Sequence, residues 1–147
     1  MAQVRQAEAN WSGDLLAGGG SVSATSSGIF SDQAITWRAR TEASEGKTSP
    51  EELLAAAHAS CYSMAVSNEL ANAGFPPERV DVTVVVSADK TDAGWTVLSS
   101  AITLRAKVPG IDQATFDKQA NAAKGGCPIS RAISDSVEIT LEATLEA

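Results

Sequence analysis

"TSPEELLAAAHASCYSMA" (Thr48–Ala65) runs from a helix start into a thiol, and the reading of this stretch decides the rest of the chain. Ser49 suits an N-cap, and Pro50 suits the first helical position, where a missing N–H costs nothing. Glu51 and Glu52 fall in the first turn, where carboxylates complement the positive end of the helix dipole. The pattern predicts a helix to about Ala73, stopped by Gly74 and by Pro76–Pro77. From Leu53 to Val66 it is apolar nearly all round, as expected of a buried central helix rather than a surface one. Leu53, Ala57 and Cys61 share one row at i, i+4 spacing, continued by Met64. A cysteine in such a row ordinarily packs as a small inert hydrophobe. Any chemistry assigned to it has to be argued from the remaining sequence.

At 147 residues, 44% of them apolar and 20% charged, the composition is that of one globular domain spanning 1–147, and the helices and strands read below make it α+β. A formal net charge of −7 argues against a basic nucleic-acid footprint and against attraction to anionic lipid, so neither nucleic acid nor membrane is an expected partner. The first residues, "MAQVRQAEANWSGDLL", carry no apolar core or cleavage pattern of a signal peptide, and no apolar run is long enough to span a bilayer. A cytoplasmic location is therefore expected. Two cysteines in a reducing compartment suggest a redox pair or a metal site more than a structural staple. With one histidine and no second cysteine close by, the spacing is poor for zinc, and no metal or other cofactor is expected.

Gly18–Gly20 lack the strand and helix flanks of a phosphate-binding loop and read as a turn between two short strands, "LLA" and "SVSAT". In "AITWRAR", Ile35, Trp37 and Ala39 alternate with Thr36, Arg38 and Arg40. This predicts a half-buried strand with both arginines on one face. "VDVTVVVSA" and "WTVLSSAITLRAKV" read as two β-branched strands joined at Asp92–Ala93–Gly94. "DQATFDKQANAAK" predicts an amphipathic helix capped by Asp112 and stopped at Gly125–Gly126. A short helix opens at "CPISRAI", with Cys127 at its cap and Pro128 in first position, and "SVEITLEATL" alternates as a last strand.

The two thiols differ in setting. Cys127, at a helix N-cap, faces unpaired N–H groups that lower a thiol's pKa. Cys61 is mid-helix and has no such help. A free thiol with a pKa of about 8.5 is only a few per cent ionised at neutral pH, so Cys61 needs a fixed cation to act as a thiolate. Arg40 or Arg38 can supply it, and Glu51 can clamp the guanidinium through a two-pronged bond.

"SPEELLAAAHASCYSMAVS" resembles the central helix of the OsmC/Ohr family, the osmotically induced and organic-hydroperoxide-resistance proteins. "KVPGID", a helix, and "AKGGCPISRAI" resemble that family's second cysteine region. The histidine before Cys61, the Glu–Glu pair and "CPIS" are closer to the OsmC branch. The resemblance implies antiparallel sheets wrapping a long buried helix, in an intertwined homodimer. It places the peroxide-attacking cysteine on Cys61, the resolving cysteine on Cys127, the catalytic arginine on Arg40 and its glutamate on Glu51. "TEASEGKTS" carries one extra residue, so Arg38 stays open as an alternative to Arg40.

The implied reaction reduces organic hydroperoxides, and hydrogen peroxide more weakly, to alcohols. A Cys61 sulfenic acid is resolved by Cys127 as a disulfide, and an external thiol (a small dithiol or a lipoylated protein) restores the pair. Leu53, Ala57 and Met64 are the expected apolar wall. A second copy is expected to cover the free side of the helix, reached by the N-terminal segment with Leu15, Leu16 and Val22. Two other readings remain at this level: a non-catalytic stress-induced ligand-binding protein, and a hydrolase or acyl-transfer enzyme with Cys61 as nucleophile and His58 as base. Against the last, i, i+3 neighbours on one helix rarely reach in-line geometry, and His58 reads first as a structural histidine.

Overall fold

A computed structural model describes all residues, 1–147. The chain's internal contacts fall into two compact units, Met1–Leu53 and Leu54–Ala147, and each is described by itself.

In the first unit, β1 (Glu8–Ser12), β2 (Gly19–Ser23) and β3 (Gln33–Ile35) form an antiparallel sheet in the order β1-β2-β3. The expected strand at "LLA" is absent. The Asp14 carboxylate accepts hydrogen bonds from the N–H groups of Leu16 (2.9 Å) and Ala17 (2.8 Å), and this local bonding holds the stretch in a turn. Gly18 closes that turn, whereas Gly19 and Gly20 belong to β2. At Gly20 a side chain would run into the Asn10 carbonyl across the β1–β2 pair, so a close backbone approach, not a turn, requires glycine there.

The predicted strand at "AITWRAR" is also corrected. Only Gln33–Ile35 is strand; α1 (Trp37–Thr41) follows at once. Thr36 caps it, its hydroxyl accepting from the Ala39 N–H at 3.1 Å. Arg38 and Arg40 thus lie two apart on a helix, about 200° round, and do not share a face.

The helix α2 (Pro50–Asn72) matches its predicted span. Ser49 caps it, accepting from the Glu52 N–H. At its end Gly74 takes φ +91°. Phe75 N–H reaches Leu70 O and Gly74 N–H reaches Ala71 O, the paired bonds of a Schellman cap.

Within the second unit, β4 (Arg79–Thr91) and β5 (Gly94–Lys107) form a long antiparallel hairpin. The chain then crosses over through α3 (Gln113–Gly126) and α4 (Pro128–Ile133), and β6 (Glu138–Glu146) returns parallel to β5. This sheet is therefore mixed, a difference from the antiparallel expectation. A return by way of two helices leaves the chain at the end of the sheet where β5 began, so β6 runs the same way. Asp112 caps α3 through the Thr115 N–H, as expected.

One row of α2, His58, Tyr62, Val66 and Leu70, is fully buried. Its apolar members pack with Ile102, Leu104 and Ala106 of β5 and with Phe116, Ala120 and Ala123 of α3. The Tyr62 hydroxyl donates to the Ala120 carbonyl at 3.0 Å, so the ring is buried without an orphaned polar atom. Burial of α2 is one-sided, however: Met64, on another row, remains 67% exposed. Truncating the fully buried Leu70 to alanine is expected to destabilise the protein by about 2–5 kcal/mol, read as a lowered denaturation midpoint with unchanged slope. A loss below about 1 kcal/mol would mean that this row is not the centre of the core.

Candidate active site

Cys127 stands where α3 ends and α4 begins, as the cap of both. It is fully buried, and Cys61 on α2 is half-buried; both thiols are free. The two thiols are near enough for the ionisation of each to depend on the other. Burial pushes the Cys61 thiol up; the Ile129 N–H works against this, and neighbouring Cys127 adds to the rise. Burial opposes ionisation of Cys127 as well. The neighbouring Ser130 N–H, Cys61 thiol, Ser130 hydroxyl and Ile129 N–H favour the charged form and outweigh it, and the Cys127 pKa falls below that of an ordinary thiol. All of these but the Cys61 thiol belong to the first turn of α4, so the local groups of that turn draw the negative charge onto Cys127.

Cys61 opens onto a cavity of about 320 Å³, whose lining includes Met64, Ala65, Ala123 and Pro128 with the polar Asn68 and Glu69. Of the three residues expected to form an apolar wall, Met64 is part of this lining.

In the first unit Arg40 and Glu51 form a two-pronged pair. Arg40 Nε lies 2.9 and 3.1 Å from the two carboxylate oxygens of Glu51, and Nη2 lies 2.8 Å from Oε1. The glutamate side chain is only 12% exposed, and the guanidinium carbon sits 5.6 Å from the centre of the Trp37 ring. A planar guanidinium held at two oxygens and stacked on an indole has a fixed direction, as lysine would not. A cavity of about 220 Å³ adjoins it, lined by Trp11, Leu15, Ile35 and Trp37 among others. Arg38, the alternative, projects to solvent, where it pairs with Glu42 at 3.0 Å and Glu45 at 3.6 Å.

His58 is fully buried between two hydroxyls: Nδ1 lies 2.7 Å from Ser100 Oγ and Nε2 lies 2.7 Å from Ser130 Oγ. Both nitrogens are occupied, so the imidazole is not placed as a base on Cys61, and the hydrolase reading loses its support. Sequence reasoning missed Ser130, Ser100 and Trp37. Ser130 had a signal, three residues beyond a capping cysteine, where an N-cap side chain meets N–H donors. Ser100 had none, being one polar residue in a long strand.

Burial lowers the His58 pKa from 6.5. The unfolded chain then binds a proton that the folded chain refuses. Stability is complete above pH 6.5 and is lost as pH falls from there toward the lowered folded value. Denaturant midpoints between pH 7.5 and 4.5 should show this loss, and His58→Gln should flatten that part of the profile. An identical profile in the variant would contradict the assignment.

Three comparisons bear on this arrangement. The family profile described as OsmC-like protein matches residues 43–142. The chain is 44% identical over 143 residues to Peroxiredoxin OsmC of Escherichia coli (strain K12), with 97% of each chain covered. It is 31% identical over 117 residues to the organic hydroperoxide resistance protein OhrA of Bacillus subtilis (strain 168), covering 76% of this chain and 77% of that one. In structure it is similar to an organic hydroperoxide resistance protein OsmC from Legionella pneumophila, with a TM-score of 0.71, 25% identity and 98% of each chain covered. The helix that carries Cys61, the second cysteine at the α3–α4 junction and the match along nearly the whole chain lead to one assignment: this protein belongs to the OsmC family.

Proposed function

We propose that the chain is a thiol peroxidase that reduces organic hydroperoxides to alcohols, working as one functional domain and as a homodimer. The observation that carries this reading is the packing of two free thiols into one cluster in unlike surroundings, one opening onto a cavity and the other buried at a helix N-terminus. A ligand-binding protein has no need of such a pair. The names of the similar proteins, a peroxiredoxin and organic hydroperoxide resistance proteins, support the same chemistry.

In the first step the Cys61 thiolate attacks one peroxide oxygen. The O–O bond breaks, the alkoxide takes a proton and leaves as alcohol, and Cys61 holds a sulfenic acid. Cys127 then displaces water to form a disulfide, which an external small dithiol or lipoylated protein reduces.

Cys61 needs a cation for the first step, since burial and its neighbour keep it protonated. Arg40, oriented by Glu51, is the cation we assign. Glu51 and Cys61 lie ten residues apart on α2, about 15 Å of helical rise. A second copy related by a two-fold axis would bring Arg40 of one chain toward Cys61 of the other. The uncovered side of α2 at Met64, with the exposed Leu15 and Leu16, supports such an interface. The apolar and aromatic cavity beside Arg40 would then receive the organic part of the peroxide.

Consumption of cumene hydroperoxide with dithiothreitol tests the reading. Cys61→Ser should be inactive, while Cys127→Ser should consume about one equivalent and stall with an oxidised Cys61. A first sulfenic acid found on Cys127 instead would reverse the roles. Arg40→Ala should slow the reaction at least about 100-fold, with Arg38→Ala near wild type. Equal damage from the two would remove Arg40 from the mechanism.

A further inference from the structure

The Cys127 side chain makes no cap hydrogen bond of its own, so its place is set by the corner of backbone between α3 and α4. The Cys127 N–H reaches the Ala123 carbonyl at 2.9 Å, and the Cys127 carbonyl accepts from the Arg131 N–H at 3.0 Å. One residue thus closes a helix and opens the next. The approach to this corner is thinly packed: a side chain at Gly125 or Gly126 would meet nothing within 4 Å. The six residues of α4 are too few to be stable as a helix alone. Gly126 and Pro128, on either side of Cys127, line the cavity onto which Cys61 opens. A shift of the corner is therefore a shift of one thiol against the other.

Two hydrogen bonds tie this corner to α2, one from each of the helices that meet there. Tyr62, next to Cys61, donates its hydroxyl proton to the Ala120 carbonyl of α3 at 3.0 Å. His58 Nε2 lies 2.7 Å from Ser130 Oγ of α4, and Nδ1 lies 2.7 Å from Ser100 Oγ of β5. His58 stands about one turn before Cys61 on α2, and Ser130 about one turn after Cys127 on α4. The imidazole thus bridges the two helices a single turn away from each thiol. Ser130 is the buried residue of α4, and it is a hydroxyl where an apolar side chain would cost less desolvation. Apolar contact lets helices slide over one another. Directional bonds with every buried polar atom satisfied admit one register.

We propose that His58 and Ser130 are positioning residues for disulfide formation, their hydrogen bond fixing α4 on α2 in the register that presents Cys127 to Cys61. The inference rests on the peroxidase reading above. In the step they serve, the Cys127 sulfur attacks as a thiolate, its proton already released to solvent. The Cys127–Cys61 S–S bond forms and the S–O bond of Cys61 breaks. The electron pair leaves with hydroxide, which takes a proton from solvent, so thiol and sulfenic acid give disulfide and water. The Cys61 sulfur is reduced and the Cys127 sulfur oxidised. The imidazole moves no proton in this step; it holds the attacking group at high effective concentration.

Single turnovers of the full-length protein with one equivalent of cumene hydroperoxide test this. Peroxide loss reports the first step, and dimedone capture of the Cys61 sulfenic acid against a mass loss of two hydrogens reports closure. Equilibration with reduced and oxidised dithiothreitol gives the effective concentration of the two thiols. His58→Phe and Ser130→Ala break the bridge and should lower both closure rate and effective concentration at least about tenfold. His58→Gln, whose amide can bond both hydroxyls, should bring both back to within about threefold of wild type. Ser100→Ala cuts only the bond to β5 and should stay near wild type. The loss should persist at about pH 10, where an ordinary thiol is ionised. Wild-type closure in Ser130→Ala, equal loss in Ser100→Ala, no recovery in His58→Gln, or a loss that vanishes at the higher pH overturns the proposal. If His58→Phe fails to fold, the two serine variants decide alone. A wild-type chain that forms no disulfide would fail the peroxidase reading itself, an outcome distinct from normal wild-type closure with unaffected variants.

Discussion

Two thiols whose ionisations are linked compete for one negative charge, and much of this structure concerns which one holds it. Peptide N–H groups at the start of α4 and the Ser130 hydroxyl draw it to Cys127. Burial keeps the proton on Cys61. This polarity suits the second half of the proposed cycle, in which Cys127 would be the nucleophile, and opposes the first half. On the proposed mechanism an additional positive charge must arrive at Cys61 before a peroxide can be attacked. The fold holds a prepared one in the Arg40–Glu51 pair, fixed at three short N–O distances and stacked on Trp37.

Helix α2 organises both ends of this chemistry. Its first turn supplies Glu51, its middle supplies Cys61, and its one fully buried row anchors it to β5 and α3. The same row contains His58, which ties the helix to Ser100 and Ser130. A helix committed on one side and apolar on others has surface left to bury, and a two-fold partner is the simplest source of cover.

Much of this was legible in the sequence because it rests on local rules. Ser49, Pro50 and Gly74 marked the ends of α2; Asp112 marked α3; Cys127 with Pro128 marked α4. The Arg40–Glu51 pairing was also anticipated, although from a resemblance and with Arg38 still open. The failures came where local patterns were short or tertiary contacts decided. Five residues of alternation at Ile35–Ala39 looked like strand, but the Thr36 hydroxyl on the Ala39 N–H turned the chain into α1. Asp14 did the same to the strand expected at Leu15–Ala17. The parallel placement of β6 follows from the crossover of α3 and α4, which alternation within a strand does not encode. His58 looked like an ordinary core histidine because its partners lie 42 and 72 residues away.

Mixing two inactive variants tests the central claim, that a thiolate on one chain is served by an arginine on another. Cys61→Ser and Arg40→Ala proteins are each assayed for cumene hydroperoxide reduction, then mixed in equal amounts, allowed to exchange subunits and assayed again. Sites shared across the two-fold axis give each mixed dimer one intact site, so activity should return to about a quarter of the wild-type value. A mixture that exchanges subunits, shown by mass spectrometry of the intact dimers, and stays as inactive as its components would contradict the account.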